Sequence, residues 1–199
     1  ERLPPPDETL LRAAQSFVFH PPLNIGAVYK KEPVYAGGVS LSFYGGTAVG
    51  QAIQTCKYGV PPQPFPDWLV EQSATLIKSV FPCDELQGVI PIPSTISGGL
   101  VDDFALRLAQ RLGVPLRRAL RKTRHTQPQK DFKNAVQKAK NIEDAFELTE
   151  TVHGLTLLVV DDVFDSGATL KEAGRVLKQA GASELYAFCI ARTRHRGDL

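Results

Sequence analysis

The sequence predicts one α/β domain with a mostly parallel central sheet flanked by helices. Three short apolar runs are typical of buried parallel strands, and they lie at 88–93, 155–160 and 185–190. The last two runs are separated by a helical pattern over 169–180, which predicts a right-handed βαβ unit. With 199 residues, the chain is long enough for one such domain with a full core and short for two.

The start of the chain predicts an arm and a first strand. Prolines limit regular structure in residues 1–34, which we expect to form a small N-terminal elaboration packed on a domain of residues 35–199. Alternating apolar and polar residues over 34–43 predict a strand. Because glycine in a strand interior weakens it, we expect an interruption at Gly37 and Gly38.

Three further helices are predicted from apolar residues at helical spacing. They cover 47–58, 67–80 and 100–112, and the last is expected to stop at Gly113. Asp67 is a candidate cap for the second of them.

Composition and cysteine placement exclude several classes of protein. The longest apolar stretches fall far short of the roughly 20 residues that span a bilayer, so no membrane partner is expected. No signal peptide is visible, and a cytoplasmic location is the default expectation. The three widely spaced cysteines favour neither a disulfide framework nor a zinc site. The chain contains no methionine, so we expect a fragment or a processed product.

The strongest functional signal is a strand that ends in acids and enters a helix through a glycine turn. Asp161 and Asp162 follow the run at 155–160, and open α/β sheets bind ligands at such strand ends. The turn supplies a glycine, two hydroxyls and the free amides of a starting helix, which together suit a phosphate. Adjacent acids suit a sugar diol. The turn residues are Asp165, Ser166, Gly167, Ala168 and Thr169.

A plainer interpretation is an acidic surface turn in which Asp165 or Ser166 only caps the next helix. The coincidence of acids, glycine and hydroxyls at one strand-to-helix junction favours the phosphate site. The catalytic candidates are Asp161, Asp162 and Asp165.

Residues 157–169 closely resemble the phosphoribosyl-pyrophosphate motif of the type I phosphoribosyltransferases, except at Phe164, where that family favours an aliphatic residue. The resemblance implies the type I phosphoribosyltransferase fold and transfer of phosphoribose to a base with release of pyrophosphate. It also implies that Asp161 and Asp162 contact ribose hydroxyls, often with Mg²⁺ on the ligand. The loop from Asp165 to Thr169 would wrap the 5′-phosphate, and Asp165 matches a position that acts as the base or the purine partner in some members.

A longer resemblance, over about 44–194, is to the competence-protein branch called the ComF family. The zinc-binding cysteine cluster that usually precedes this fold is absent, and 97–103 lack the arginine that many relatives place on the pyrophosphate side. Backbone amides of 94–99 are an alternative holder for pyrophosphate, and a plain glycine-rich connection is equally compatible. The predicted pyrophosphate loop is Pro93, Ser94 and Thr95. The blocks that carry the resemblance are 44–59, 91–94, 126–129 with Asn141 and 145–146, and the phosphate loop.

Residues 117–140 form a basic segment, with nine lysines or arginines against one acid. If it closes over the site, its cations would stabilise a leaving pyrophosphate. The same cluster would alternatively contact DNA phosphates, and a solvated surface is the commonest outcome for such a run. The candidate cations are Arg124, Lys130 and Lys133, together with Lys57 from outside the segment.

Two hypotheses of function follow. In the first, the domain binds phosphoribosyl pyrophosphate or a nucleotide, with Mg²⁺, and transfers phosphoribose. In the second, it is a non-catalytic module of a DNA-processing protein, either a ComF-like DNA uptake protein or a RecQ-like helicase, since a similar domain ends some of those helicases. The intact acid pair favours ligand binding, and the missing arginine favours the module.

Overall fold

The structure, a computed structural model, describes residues 34–93, 99–123, 137 and 141–193. Its strands are β1 (Gly37–Phe43), β2 (Val89–Pro91), β3 (Leu120–Lys122), β4 (Phe146–Leu148), β5 (Thr156–Phe164) and β6 (Glu184–Arg192). Its helices are α1 (Ala48–Tyr58), α2 (Asp67–Val80), α3 (Leu100–Leu112) and α4 (Ala168–Gln179).

The central sheet has four parallel strands in the order β1, β6, β5, β2. The predicted parallel α/β fold is therefore confirmed. The predicted unit of strand, helix and strand is β5, α4 and β6, and its two strands are hydrogen-bonded neighbours. Because parallel strands share their carboxyl ends, β1, β2, β5 and β6 all finish at one edge of the sheet.

Both faces of this sheet are covered, which explains the continuous apolar runs in its central strands β5 and β6. Side chains alternate along a strand, so Leu158 and Val160 join one core cluster while Leu157 and Val159 join the other. The first cluster also contains buried residues of α1, α2 and α3. The second contains buried residues of α4 and of the strands β3 and β4.

The helices lie close to their predicted positions. Thr47 caps α1, since its hydroxyl accepts a hydrogen bond from the Gly50 amide at 3.0 Å. α3 ends at Gly113, which has a φ of 73°. The prediction that Asp67 caps α2 is wrong, because Pro66 holds the cap position and Asp67 pairs with Arg107 at 3.0 Å.

Two strands differ from the prediction, one in where it ends and the other in its continuity. The β5 strand continues four residues beyond Val160, because its backbone stays paired with β6 as far as Phe164 and Arg192. The expected interruption of β1 is also wrong, since Gly37 and Gly38 pair in register with β6. In both places the ladder to a long neighbouring strand outweighs the local preference of the residues.

The hairpin of β3 and β4 was not predicted. These strands pair antiparallel through three residues each, for example Leu120 with Leu148, and lie on either side of most of the basic segment. Three residues are too few to show a strand period, so the sequence carries no clear signal for them.

The arm cannot be placed, because residues 1–33 lie outside the described part of the chain, and the domain boundary stays a prediction. Among the described residues, no helix is long and apolar enough to cross a membrane.

Candidate functional site

The loop between β5 and α4 lines an open hollow at the carboxyl edge of the sheet. Gly167 is the N-cap residue of α4 with φ 74°, a left-handed conformation that suits glycine, and no side chain caps the helix. The first amides of α4 therefore remain available to an anion at this helix start. The hollow encloses about 310 Å³, including the solvent in its mouth, and is lined by Asp161 and 163–170.

The loop leaves no room for a side chain at its glycine. A Cβ atom added to Gly167 would lie 2.9 Å from the ring of Phe164, inside van der Waals contact. Phe164 is the residue at which the sequence departs from the family motif, and the structure shows that its ring packs against the glycine of the turn. The shape of the loop therefore depends on Gly167 for both conformation and space.

Neither candidate cap holds the start of α4. The Ser166 hydroxyl lies 3.5 Å from the Ala168 amide, at the outer limit of a hydrogen bond. The Asp165 carboxylate instead accepts a hydrogen bond of 2.9 Å from the Thr193 hydroxyl, just beyond β6. Asp165 therefore has a partner beyond β6, and the interpretation of Ser166 as a cap of α4 stays an alternative.

Asp162 forms an ion pair with Lys57 from the last turn of α1. The Lys57 Nζ and Asp162 Oδ2 atoms are 2.5 Å apart, and the side chains are 16% and 11% exposed. Burial acts to lower the pKa of Lys57, but the Asp162 carboxylate outweighs it, so the pKa is raised. Lys57 is thus a helix residue paired with a site acid rather than a loop cation.

Asp161 has a different environment. Burial raises the pKa of its carboxyl to about 7, and the neighbouring Asp162 charge acts in the same direction. The Asp162 amide, which donates to Asp161 Oδ1 at 2.8 Å, and the ammonium groups of Lys57 and Lys122 act in the opposite direction. The pKa of Asp161 is therefore raised above the ordinary value of an aspartate.

The two acids face opposite sides of the sheet. Consecutive side chains of a strand alternate, and Asp162 follows Leu158 and Val160 toward α1, where it meets Lys57. Asp161 follows the other face, where its charge acts on Tyr35 and Cys189. The sequence treated the acids as one diol acceptor, whereas the fold gives each its own surroundings.

Three residues at the site were missed by the sequence interpretation. The Tyr35 hydroxyl donates a hydrogen bond of 2.7 Å to the carbonyl of Leu170. This bond connects the first turn of α4 to the residues before β1. Lys122 was counted only as part of a basic run, and Thr193 follows a strand without any motif. Their roles depend on which segments meet in space, so the chain offers no local signal for them.

The described arginines of the basic segment are paired with acids of the chain. Arg118 makes two hydrogen bonds to Asp102, at 2.8 and 2.7 Å. Arg117 pairs with Glu150 at 3.5 Å. Arg121 pairs with Glu147 across the β3–β4 hairpin. These pairs reduce the net positive charge of this part of the segment.

Of the remaining predicted site residues, only Pro93 lies within the described part of the chain. Pro93 is half-buried and follows β2 at the same sheet edge as the acids, as expected for the start of a ligand loop. Five predicted site residues lie outside the described residues, namely Ser94, Thr95, Arg124, Lys130 and Lys133.

Comparisons with known proteins found relatives that match part of the chain. The DNA utilization protein YhgH of Escherichia coli (strain K12) is 35% identical over 75 residues, 38% of this chain and 33% of that protein. The ribose-phosphate pyrophosphokinase of Halalkalibacterium halodurans is 28% identical over 132 residues, 58% of this chain and 37% of that protein. The chain thus aligns with about a third of the length of each relative.

Solved structures of similar proteins include an adenine phosphoribosyltransferase and the purine phosphoribosyltransferase of Pyrococcus horikoshii Ot3. The first is 21% identical with a TM-score of 0.45 and covers 67% of this chain and 77% of that chain. The second is 20% identical with a TM-score of 0.41 and covers 63% and 71%.

A family model described as phosphoribosyl transferase domain matches residues 96–198, just over half of the chain. The match includes β5, the loop at 165–167 and α4, the segment that the sequence singled out. The predicted resemblance is confirmed, and the chain belongs to the phosphoribosyl transferase domain family.

Proposed function

We propose that this domain binds a phosphoribosyl compound, either phosphoribosyl pyrophosphate or a nucleotide, with its 5′-phosphate on the loop from Asp165 to Thr169. The observation that carries the proposal is the start of α4, whose N-cap residue Gly167 lies in a hollow that is also lined by Asp161 and Asp165. A helix start of this kind attracts an anion through its amides and its dipole. The Asp161 carboxyl in the same hollow suits a hydroxyl of the attached ribose.

Transfer of phosphoribose is the reaction we propose for the enzyme form of this function. Asp161 and Asp162 would stabilise positive charge that develops on the ribose ring, and Asp165 is the candidate partner of the acceptor base. Arg124, Lys130 and Lys133 are the candidates to meet the leaving pyrophosphate. A pyrophosphate leaving group needs such cations because its negative charge grows in the transition state.

Mg²⁺ is proposed to enter as part of the ligand. The described residues contain no group of three or more histidines, cysteines or acids that would hold a metal ion. Asp162 is engaged by Lys57, and the pKa of Asp161 is raised above its ordinary value. This donor set does not fit a divalent ion held by protein alone, since Mg²⁺ requires about six oxygen ligands in octahedral geometry.

Isothermal titration tests the proposal most directly. The chain is titrated with phosphoribosyl pyrophosphate, ribose 5-phosphate and nucleoside monophosphates, each with and without Mg²⁺. We expect micromolar binding of at least one of them, and loss of that binding in the double variant Asp161→Asn/Asp162→Asn.

The matched control is Asp84→Asn/Glu85→Gln, which removes two adjacent acids that are exposed on the protein surface. It changes net charge by the same amount and is expected to bind as the wild type does. If none of the ligands binds the wild-type chain, or if both double variants lose binding equally, the site is not the one proposed.

The second candidate function is that of an accessory module in DNA processing. It is supported by the similarity to a protein whose name describes DNA utilization. The described arginines count against a broad DNA surface, since Arg117, Arg118 and Arg121 already have acidic partners. A link to a RecQ-like helicase stays a prediction.

Fluorescence anisotropy with labelled single- and double-stranded DNA separates the two functions. Direct DNA binding predicts an affinity that falls steeply with salt, because each neutralised phosphate releases counterions. Sugar-phosphate binding without such DNA binding favours the first function.

A further inference from the structure

The ion pair between Lys57 and Asp162 has a place in the site that the proposed function does not explain. Lys57 is the penultimate residue of α1, and Asp162 lies near the carboxyl end of β5, so 105 positions of sequence separate them. Their charged atoms are 2.5 Å apart and largely removed from water. A buried pair of this kind persists only when fold and partner both hold it in place.

The position of α1 fixes this contact. The helix is capped by Thr47, whose hydroxyl also donates a hydrogen bond of 2.6 Å to the carbonyl of Phe43 at the end of β1. One turn of chain thus fastens α1 to the carboxyl edge of the sheet, and the last turn of the helix brings Lys57 to Asp162. The Lys57 ammonium group is therefore held in a fixed position at the carboxyl edge of the sheet, on the face that α1 covers.

An ammonium group at this point changes what the acids can bind. It occupies Oδ2 of Asp162 and places a positive charge where a metal ion would have to approach. A free divalent cation would need to displace Lys57 or accept repulsion at short range. A sugar hydroxyl is neutral and meets no such repulsion, and a carboxylate oxygen can accept its hydrogen bond.

We propose that Lys57 is a specificity-determining residue that serves as the resident cation of Asp162, so that this acid takes a neutral hydroxyl donor and rejects a free divalent cation. The hydroxyl part of this statement rests on the proposed function, whereas the metal part concerns the protein alone. A metal is then admitted only where the phosphates of a ligand have already neutralised its charge.

The test uses Mn²⁺ as the probe, with no sugar phosphate present, and follows free Mn²⁺ by electron paramagnetic resonance at pH 8. Wild-type chain is expected to bind no more tightly than its Asp162→Asn variant. The Lys57→Met variant, which keeps the length of the side chain without its charge, is expected to bind Mn²⁺ at least about tenfold more tightly, equivalent to 1.4 kcal/mol. Adding Asp162→Asn to Lys57→Met should remove the gain.

Two further variants complete the design. Lys57→Arg keeps the charge and is expected to behave as the wild type. Lys78→Met removes an exposed lysine from the last turn of α2, the equivalent position of another helix, and should leave Mn²⁺ binding unchanged. Circular dichroism establishes that each variant is folded.

Two outcomes overturn the proposal. The first is that the wild-type chain binds Mn²⁺ and the Asp162→Asn variant does not. This outcome does not depend on whether Lys57→Met folds. The other is a folded Lys57→Met variant that gains no Mn²⁺ affinity. Because the Mn²⁺ experiment contains no sugar phosphate, failure of ribose 5-phosphate binding would count against the proposed function and leave this result standing.

Discussion

Two helices of the domain begin alike and differ in what lies at their starts. α3 follows Gly99 with φ 91°, α4 follows Gly167 with φ 74°, and neither has a side-chain cap. They come next in the described chain after the neighbouring strands β2 and β5. The first turn of α3 contains Asp102 and Asp103, whereas the first turn of α4 contains no acid.

The acids of α3 satisfy the positive end of their own helix and are themselves neutralised. Asp102 binds Arg118 through two hydrogen bonds, and Asp103 binds Arg107 at 2.7 Å. Acids in a first turn are favoured by the helix dipole. The comparison shows that α3 supplies negative charge to its own start, whereas α4 does not.

The surroundings of the two glycines differ as well. Among the described residues, nothing lies within 4 Å of a Cβ atom placed on Gly99, whereas one on Gly167 would press against the ring of Phe164. The α4 start is therefore a closely packed turn.

The largest expected effect comes from Gly167→Ala. The left-handed conformation costs an alanine about 1–2 kcal/mol, and the new methyl group also displaces Phe164. We expect affinity for ribose 5-phosphate to fall by about a hundredfold, measured by isothermal titration. Gly99→Ala carries comparable strain in open space and should change affinity by less than about twofold. Equal losses in both variants would show that strain alone, rather than the shape of this turn, controls binding.

A smaller effect is expected when α4 is given the charge of α3. Thr169→Asp places an acid in the first turn, where it favours the helix by about 0.3–1 kcal/mol and repels a bound phosphate. Affinity for ribose 5-phosphate should fall about tenfold while the free energy of unfolding in urea rises slightly. Thr75→Asp, an exposed site on α2, controls for net charge. Unchanged affinity in Thr169→Asp would place the phosphate elsewhere.

The pH dependence of the free energy of unfolding compares Asp161, at the carboxyl edge of the sheet, with an exposed acid elsewhere on the domain. The pKa of Asp161 is raised to about 7 in the folded chain, above the value of about 3.9 usual for an aspartate. Between those values the folded state holds a proton that the unfolded state has lost, so this group's contribution to stability falls as pH rises. From pH 5 to pH 8, the wild type should lose more urea stability than Asp161→Asn does.

The control for that experiment is Asp84→Asn, which alters an exposed acid outside the site. Its loss of stability from pH 5 to pH 8 should match that of the wild type. A wild-type profile identical to that of Asp161→Asn would mean that the Asp161 carboxyl is ionised in the folded chain across the whole range.

The smallest effect is expected at the start of α3. Asp102→Asn removes the pair with Arg118, which is 62% exposed, so the free energy of unfolding should fall by only about 0.2–1 kcal/mol. Affinity for ribose 5-phosphate should not change beyond about twofold, because α3 is not the phosphate helix. Urea unfolding and titration check the two statements separately. A large loss of affinity in Asp102→Asn would mean that the α3 start belongs to the site.

Much of the fold was predicted because it depends on local patterns. The apolar runs at β5 and β6 and the helical spacing of α2 and α3 identified their elements to within a few residues. The boundaries failed where neighbouring strands decide pairing, as at Gly37, Gly38 and the end of β5. The hairpin of β3 and β4 failed because its strands are too short to display a period.

The phosphate loop was predicted from sequence because all of its parts are contiguous. A turn, a glycine and a helix start act within five residues, so local chemistry suffices to define them. The charge states of the acids were not predictable, because they depend on groups brought from distant segments. Lys57 reaches Asp162 from α1, and Lys122 acts on Asp161 from the hairpin.

By itself, the sequence determined the class of fold and the family to which the chain belongs. Only the tertiary structure decided that Asp161 and Asp162 face opposite sides of the sheet, that Asp162 pairs with a lysine while the pKa of Asp161 is raised, and that Asp165 accepts a hydrogen bond from Thr193. The physical reason is that the conformation of a loop is largely set by its own residues, whereas the ionisation of a buried carboxyl is set by whatever charges and surfaces the fold places around it.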